Sequence, residues 1–475
     1  MMRSVPLPFS MVVDALGAPL SIATGMTFPR LFNAVALDSR QVVPGTLFVA
    51  LKGEVQDGHR YIPAAIQAGA AGIILDRDKL DDAIRALALE ASCALFPVAS
   101  PLAALQACAA RWVDAFPSLL RIGITGSAGK TTTKEILGSI LSVGRRVVMN
   151  EGNYNSETGL PLSVFAMRES HEAGVFELGM NRRDEILELA AVLRPSLALV
   201  TNIGSAHIGI LGSKEAIAKE KRQIFSNFNR SSVAFIPEDD GFADYLAEGL
   251  EGPVVRFGPN SLPAYGGVRD LDASGISLSW AGEWVRVPLG GEHNVRNILA
   301  ACAIASHVGV SDGDIRKGLS TLPVLFGRGE VLRGPLTVVQ DCYNANPEAV
   351  IAAIRWADSI PCEGRRIYVI ADMLELGEHS EEAHRRVGQA LAGSAADAIL
   401  LFGEASRAAV PVLEEAGAAS RVLYAEVNFD NLRQKLRSFA RPGDLVLLKG
   451  SRGMALERLA ADLLPQYTES RGEVS

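Results

Sequence analysis

The feature that most constrains this chain is a glycine turn set between a buried-looking strand and a helix. Leu119 to Thr125 is apolar and strand-like, Gly126-Ser127-Ala128-Gly129 reads as a loop, and Thr131 to Val143 has helical character. A strand that feeds straight into a helix this way belongs to a parallel sheet with covering helices. The glycines let backbone N–H groups turn toward phosphate oxygens, and the helix start adds partial positive charge. Lys130 is placed to reach terminal phosphates and the Thr131 hydroxyl to hold Mg²⁺. The strict G-x-x-x-x-G-K-[ST] pattern needs glycine where this chain has Ile124, so the loop is the variant G-x-x-G-K-T. Gly126, Ser127, Ala128, Gly129, Lys130, Thr131 and Thr132 are the nucleotide-binding candidates. The competing reading is a plain glycine turn carrying an exposed lysine, which the strand-loop-helix context disfavours.

The rest of the chain repeats this alternation. Strand candidates flank the loop at Val175 to Leu178 and Leu197 to Asn202, with a helical stretch from Asp184 to Leu193 between them. A second series runs through Leu336 to Gln340, Ile367 to Ala371, Ala398 to Phe402, Arg421 to Tyr424 and Leu445 to Leu448, and its strand ends carry Asp341, Asp372, Gly403 and Lys449. Before the loop, Leu47 to Leu51 and Gly72 to Leu75 are β-rich, Pro63 to Gly69 is helix-like, and Pro97 and Pro101 bracket an expected hinge. At 475 residues the chain exceeds one hydrophobic core, and its length allows two to four domains. The motifs taken together sharpen this to three expected α/β units, at about 1–99, 100–322 and 323–475: a small N-terminal domain, a central parallel-sheet P-loop domain and a C-terminal Rossmann-like domain.

Composition narrows the function classes. With 54 acidic and 46 basic residues the net charge is −8, which argues against a large nucleic-acid footprint. Cys93, Cys108, Cys302, Cys342 and Cys362 are scattered without a CxxC pair, as expected in a reducing compartment. No apolar run reaches the roughly 18 residues of a membrane span, so a cytoplasmic chain without membrane insertion is expected.

Three more residues carry possible chemistry. Glu177, ending an apolar strand, is the candidate second Mg²⁺ contact beside Thr131. His207 follows the next strand; a lone histidine is often structural, but strand ends taken as adjacent would aim it and Glu177 at the same loop. Lys221 lies on the stripe formed by Ile217, Ile224, Phe225 and Phe228, whereas Lys214, Lys219 and Arg222 point elsewhere. It is either a snorkelling lysine covering apolar surface or an inward lysine serving the phosphate site.

Together these features resemble the Mur ligases of peptidoglycan synthesis, and the resemblance runs along nearly the whole chain. It is carried by Asp38-Ser39-Arg40, Gly45 to Gly53, Asp57-Gly58-His59, Gly152 to Leu162, Gly291 to Asn297, Phe326 to Glu330, Asp341 to Pro347, Ala371 to Gly377, His384 and Lys449 to Met454. No D-N-P triplet occurs, which favours the branch that adds a D-alanyl-D-alanine dipeptide over the one that adds the third peptide residue. The chain departs from the family at Gly209, where an acidic residue is frequent, and at Gln340.

What the resemblance implies is specific. The first domain binds a UDP-linked muramoyl tripeptide, with Ser39, Arg40, Asn153, Asn155, Ser156 and Asn346 as substrate contacts. ATP is held by the loop together with Asn294, Asn297, Arg328, Asp341, Tyr343 and Asn344. Thr131, Glu177, His207 and Lys221 are implied as Mg²⁺ ligands, Lys221 as a carbamate; Lys130, Lys221 and His207 carry the catalytic roles. The implied reaction joins D-Ala-D-Ala to the tripeptide through an acyl phosphate, and a monomer is expected. The weighed alternatives are another Mur ligase, a folylpolyglutamate-type synthetase, a P-loop motor ATPase and a regulator that has lost catalysis.

Overall fold

The computed structural model describes residues 6–20, 28–53, 56–272 and 274–464; residues 1–5 and 465–475, the ends of the expected first and third domains, lie outside the described residues. Three parallel sheets organise the chain. The first has four strands in sequence order: Ala34–Ala36, Thr46–Val49, Gly72–Asp76 and Ala94–Val98. The second has six parallel strands in the order Val254–Phe257, Val233–Pro237, Leu197–Val200, Leu120–Thr125, Ala173–Glu177 and Val147–Met149. In the third, Glu330–Arg333 runs antiparallel to Thr337–Asp341, followed by the parallel strands Leu445–Lys449, Arg366–Ala371, Ala398–Phe402 and Val422–Glu426.

Two expectations change. Glu177 and His207 do not sit on adjacent strands: the loop's own strand, Leu120–Thr125, lies between Ala173–Glu177 and Leu197–Val200. The two residues therefore approach the phosphate loop from opposite sides. Pro97 and Pro101 do not bracket a loose hinge either. Pro97 lies in the edge strand Ala94–Val98, where a missing N–H is tolerated, and Pro101 opens the helix Pro101–Asp114, capped by Ser100 Oγ on the Ala103 amide at 3.2 Å. An antiparallel three-stranded sheet, Tyr265–Asp272, Gly275–Trp280 and Glu283–Val287, is an addition that alternation did not foretell.

Helix Pro101–Asp114 is the seam between the first two sheets. One side packs on Val35, Leu47, Ile74 and Phe96 of the first sheet, and Leu105, Cys108, Trp112 and Val113 continue into Phe165, Ile186 and Leu189 of the central domain as a single apolar core. The opposite face of the first sheet closes over Ile62, Ile66, Ile84 and Ala88. The third sheet has separate cores on its two faces, and Ile208 of the central domain packs against one of them.

In the first domain, His59 is a structural clamp. Its Nδ1–H donates to Asp57 Oδ1 at 2.6 Å and its Nε2 accepts the Asp76 amide at 2.9 Å, tying a loop to the end of strand Gly72–Asp76. These bonds from His59 hold the Asp57 carboxyl at about 2, below its ordinary 3.8. A depressed carboxyl stabilises the fold above its ordinary value and loses that contribution as pH falls through the depressed one. Asp57→Asn is expected to melt below wild type at pH 7, and the gap to close between pH 4 and 2, followed by circular dichroism.

Candidate active site

The parallel ladder brings three strand ends to one place. Lys130 opens the helix Lys130–Leu141 immediately after Gly129, which sits at φ +80°. A side chain there would also collide with Asn297 Oδ1, so both conformation and space require glycine. Asn202, past the neighbouring strand, accepts the Ser127 and Ala128 amides through Oδ1 at 3.1 and 2.9 Å, and Gly204 N–H donates to Ser127 Oγ at 2.8 Å. These bonds fix the loop's shape. Lys130 Nζ donates to the Gly126 carbonyl at 2.8 Å.

Glu177 is almost fully buried and faces the loop. Its carboxylate accepts from the Thr131 hydroxyl on one oxygen and from Asn155 Nδ2 at 2.7 Å on the other. Asn150 accepts the Glu177 amide and donates to the Glu177 carbonyl, while buried Lys134 donates to the Asn150 carbonyl at 2.6 Å. On the far side, Thr133 Oγ1 donates to Asn297 Oδ1 at 3.4 Å, and Asn297 Nδ2 to Asn294 Oδ1 at 2.8 Å, which packs the helix His293–His307 against the loop.

Lys221 is 1% exposed, on the helix Lys214–Arg222. Burial rules out a snorkelling side chain, though Lys221 is not among the residues that line the cleft. Burial holds its amine well below the ordinary lysine range and the nearby charge of Lys130 adds to the depression, while Glu220 and Glu177 act the other way. Burial likewise lowers Lys130, offset by Glu177. Glu220, one residue before Lys221, serves the scaffold, accepting the Asp184 and Ile186 amides at 2.9 and 3.1 Å and so capping the helix Glu185–Leu193.

The third domain closes the cleft. Arg328 donates to Thr131 Oγ1 at 2.8 Å and stacks on Tyr343 with its guanidinium carbon 4.0 Å from the ring centre. Ser205 Oγ donates to Glu348 at 2.6 Å. Glu375, at φ +66°, places its carboxylate 2.8 Å from His207 Nδ1, and His207 is itself at φ +64°. Two residues in a sparsely populated conformation thus meet across the domain boundary. Burial lowers the His207 pKa, with the neighbouring Glu375 carboxylate opposing it. Gly209 N–H donates to the Glu375 carbonyl at 3.3 Å, and a Cβ at 209 would lie 2.6 Å from the Leu376 carbonyl carbon. Glycine at 209, a departure in the sequence, is what lets this segment dock.

Most of the sequence candidates line this one cleft: Ser127, Ala128, Gly129, Lys130, Thr131, Thr132, Asn153, Asn155, Glu177, His207, Asn294, Asn297, Arg328, Asp341, Tyr343, Asn344 and Asn346. Asn346 also caps the helix Pro347–Ser359 by accepting the Ala349 amide at 2.8 Å. Ser156 closes a local turn by accepting the Gly159 amide at 3.3 Å. Ser39 and Arg40 lie in the first domain, where the exposed Arg40 guanidinium pairs with Asp38 at 2.6 Å. Asp341 pairs with Lys449 at 2.9 Å across neighbouring strands. His384 accepts the Met373 amide at 3.0 Å and Asp372 the Ser406 amide at 2.7 Å, both supporting the third domain's loops. Asn202, Glu348 and Glu375 were not among the sequence candidates; Asn202 and Glu375 stand inside motifs that were noticed, and Glu348 carries no sequence signal.

A phosphate loop flanked by a buried carboxylate and met by a second domain's arginine is a nucleotide-binding cleft between two domains, and the chain belongs to the Mur ligase family, a class of ATP-dependent ligases. Family models match residues 32–112 (Mur ligase family, catalytic domain), 124–305 (Mur ligase middle domain) and 327–452 (Mur ligase, glutamate ligase domain). The UDP-N-acetylmuramoyl-tripeptide--D-alanyl-D-alanine ligase of Treponema pallidum is 42% identical over 90% of this chain and 93% of its own. Among solved structures, MurF from Acinetobacter baumannii superposes with a TM-score of 0.86 at 29% identity, covering 98% of this chain and all of that one. MurF from Thermotoga maritima in complex with ADP gives 0.76 at 28% identity, covering 92% and 98%.

Gly209→Ala is expected to separate the third domain from the central one. Small-angle scattering should show a larger radius of gyration than wild type, and the KM for ATP should rise several-fold.

Proposed function

We propose that this chain is an ATP-dependent amide ligase that joins D-alanyl-D-alanine to UDP-N-acetylmuramoyl-tripeptide in peptidoglycan synthesis. The 42% identity to a ligase of that name, along 90% of the chain, carries the reading. The geometry of the cleft supports it.

A carboxylate is a poor electrophile, and amide formation from it in water is uphill. Transfer of the ATP γ-phosphoryl group to the tripeptide carboxylate gives an acyl phosphate and ADP. The dipeptide amine then attacks the acyl carbon, a tetrahedral intermediate forms, and its collapse expels inorganic phosphate and a proton. The protein's part is positioning and charge neutralisation. Lys130 and the free loop amides face the β- and γ-phosphates. Arg328, stacked on Tyr343, brings a guanidinium from the third domain to Thr131 and so to the same phosphates. Asn294 and Asn297 face the adenine, and Asp341 and Asn344 line the nucleotide's outer side. Asn153, Asn155 and Asn346 border the acceptor peptide, while Ser39, Arg40 and Ser156 belong to the precursor's binding face.

The donor set fits Mg²⁺. No group of three or more His, Cys, Asp and Glu side chains is assembled among the described residues, so a cation needs phosphate oxygens or a further ligand to complete its shell. The Thr131 hydroxyl and Glu177 carboxylate, already in contact, would hold one ion. His207, with Nδ1 engaged by Glu375 and Nε2 remaining, would hold a second with Lys221. A protonated lysine cannot ligate; a buried amine held below its ordinary range can take up CO₂, releasing a proton to leave a carbamate. Mg²⁺ held there would supply positive charge to offset that of the phosphates.

No helix among the described residues is long and apolar enough to cross a membrane. The nucleotide-linked substrates and five unpaired cysteines fit a cytoplasmic enzyme.

Mass spectrometry of the product formed from UDP-N-acetylmuramoyl-tripeptide, ATP and D-Ala-D-Ala is expected to show the pentapeptide; no dipeptide-dependent product would overturn the reading. Lys130→Ala should abolish the phosphate release that requires both precursor and dipeptide. Lys221→Ala should lose activity that short carboxylic acids partly restore, measured by the same phosphate assay.

A further inference from the structure

Four lysine and arginine side chains line the cleft: Lys130, Arg328, Lys449 and Arg452. The first two stand at the phosphate loop. Lys449 is 3% exposed and committed, with Nζ bonded to Asp341 at 2.9 Å and to the Asn344 carbonyl at 2.8 Å. Arg452 remains. It lies on the turn that follows strand Leu445–Lys449, and its side chain is 55% exposed. Glu457 holds one edge of the guanidinium, with Nη1 at 3.0 Å, and leaves the rest of the donor fork open.

The Tyr343 ring sets an upper limit on how far Arg452 stands from Arg328. Its guanidinium carbon is 5.9 Å from the Tyr343 ring centre, and that of Arg328, which bonds Thr131, is 4.0 Å from the same point, so the two guanidinia stand within about 10 Å of each other. An extended dipeptide spans about 7 Å. Arg452 therefore stands within the reach of a dipeptide whose amine meets an acyl phosphate beside the loop, once the length of the arginine side chain is added. That carboxylate is an anion that the phosphate-binding cations do not serve, and a guanidinium fork matches it in shape and charge. The neighbouring Phe326 and Leu374 expose apolar surface to the same region, and Arg452 lies 5.8 Å over the Phe326 ring.

We propose that Arg452 is a specificity-determining residue that receives the terminal carboxylate of the dipeptide nucleophile. This rests on the ligase reading above and deepens it. Arg452 selects a nucleophile with a free carboxylate at a dipeptide's length from its amine, against one whose end is uncharged.

The test compares D-Ala-D-Ala with its C-terminal amide as nucleophiles for wild type, Arg452→Met and Arg452→Lys. Wild type is expected to prefer the free acid by at least about tenfold in kcat/KM, the order expected when one charge-assisted pair is lost. Arg452→Met should raise the dipeptide KM by at least about tenfold on the same grounds, keep the KM for ATP within about twofold, and use the two nucleophiles almost equally. Arg452→Lys should fall between. A wild type indifferent to amidation overturns the proposal without any variant, as does an Arg452→Met enzyme that keeps the preference or loses ATP affinity instead. A wild type that uses neither nucleophile overturns the ligase reading itself.

Discussion

The central constraint is the parallel ladder that seats Leu120–Thr125 between Leu197–Val200 and Ala173–Glu177. Parallel strands point all their carboxyl ends the same way, so the loop, Glu177 and the segment leading to His207 emerge together. Burial then decides the electrostatics. Lys130 and Lys221 are both desolvated and the charge of Lys130 opposes that of Lys221, while Glu177 favours protonation of both. Phosphate oxygens brought to the loop would add negative charge beside these two amines and so relieve their mutual repulsion.

Much of this was legible because it is local. The loop's composition, the strand before it and the helix after it announce one another along a short stretch of chain. The helical stripe placed Lys221 between Ile217 and Ile224, both fully buried, but the stripe by itself could not separate a snorkelling lysine from a buried one. Strand order was not readable: nothing in the spacing of Glu177 and His207 says that the loop's own strand separates them. Glu375 was hidden for a different reason. Its partner His207 is 168 positions away in the sequence, and the contact depends on backbone conformations with positive φ that no pattern of hydrophobicity encodes. Gly209 looked like a loss until the docked segment supplied its reason.

The two domain junctions are built from different interactions. Helix Pro101–Asp114 merges the first and central domains into one apolar core, whereas Thr131 to Arg328, Ser205 to Glu348 and His207 to Glu375 join the central and third domains mainly through polar groups, with Ile208 and the Trp356 ring on Gly290 and Gly291 as the apolar contacts. The first junction resists opening by the cost of exposing apolar surface. The second releases hydrogen bonds that water can replace.

That difference has a calorimetric meaning. Heat capacity tracks the hydration of apolar surface, so parting the third domain from the central one should change it little, while parting the first would change it much. The enthalpy of parting the third domain from the central one should consequently stay nearly constant with temperature, whereas that of parting the first should climb steeply as temperature rises.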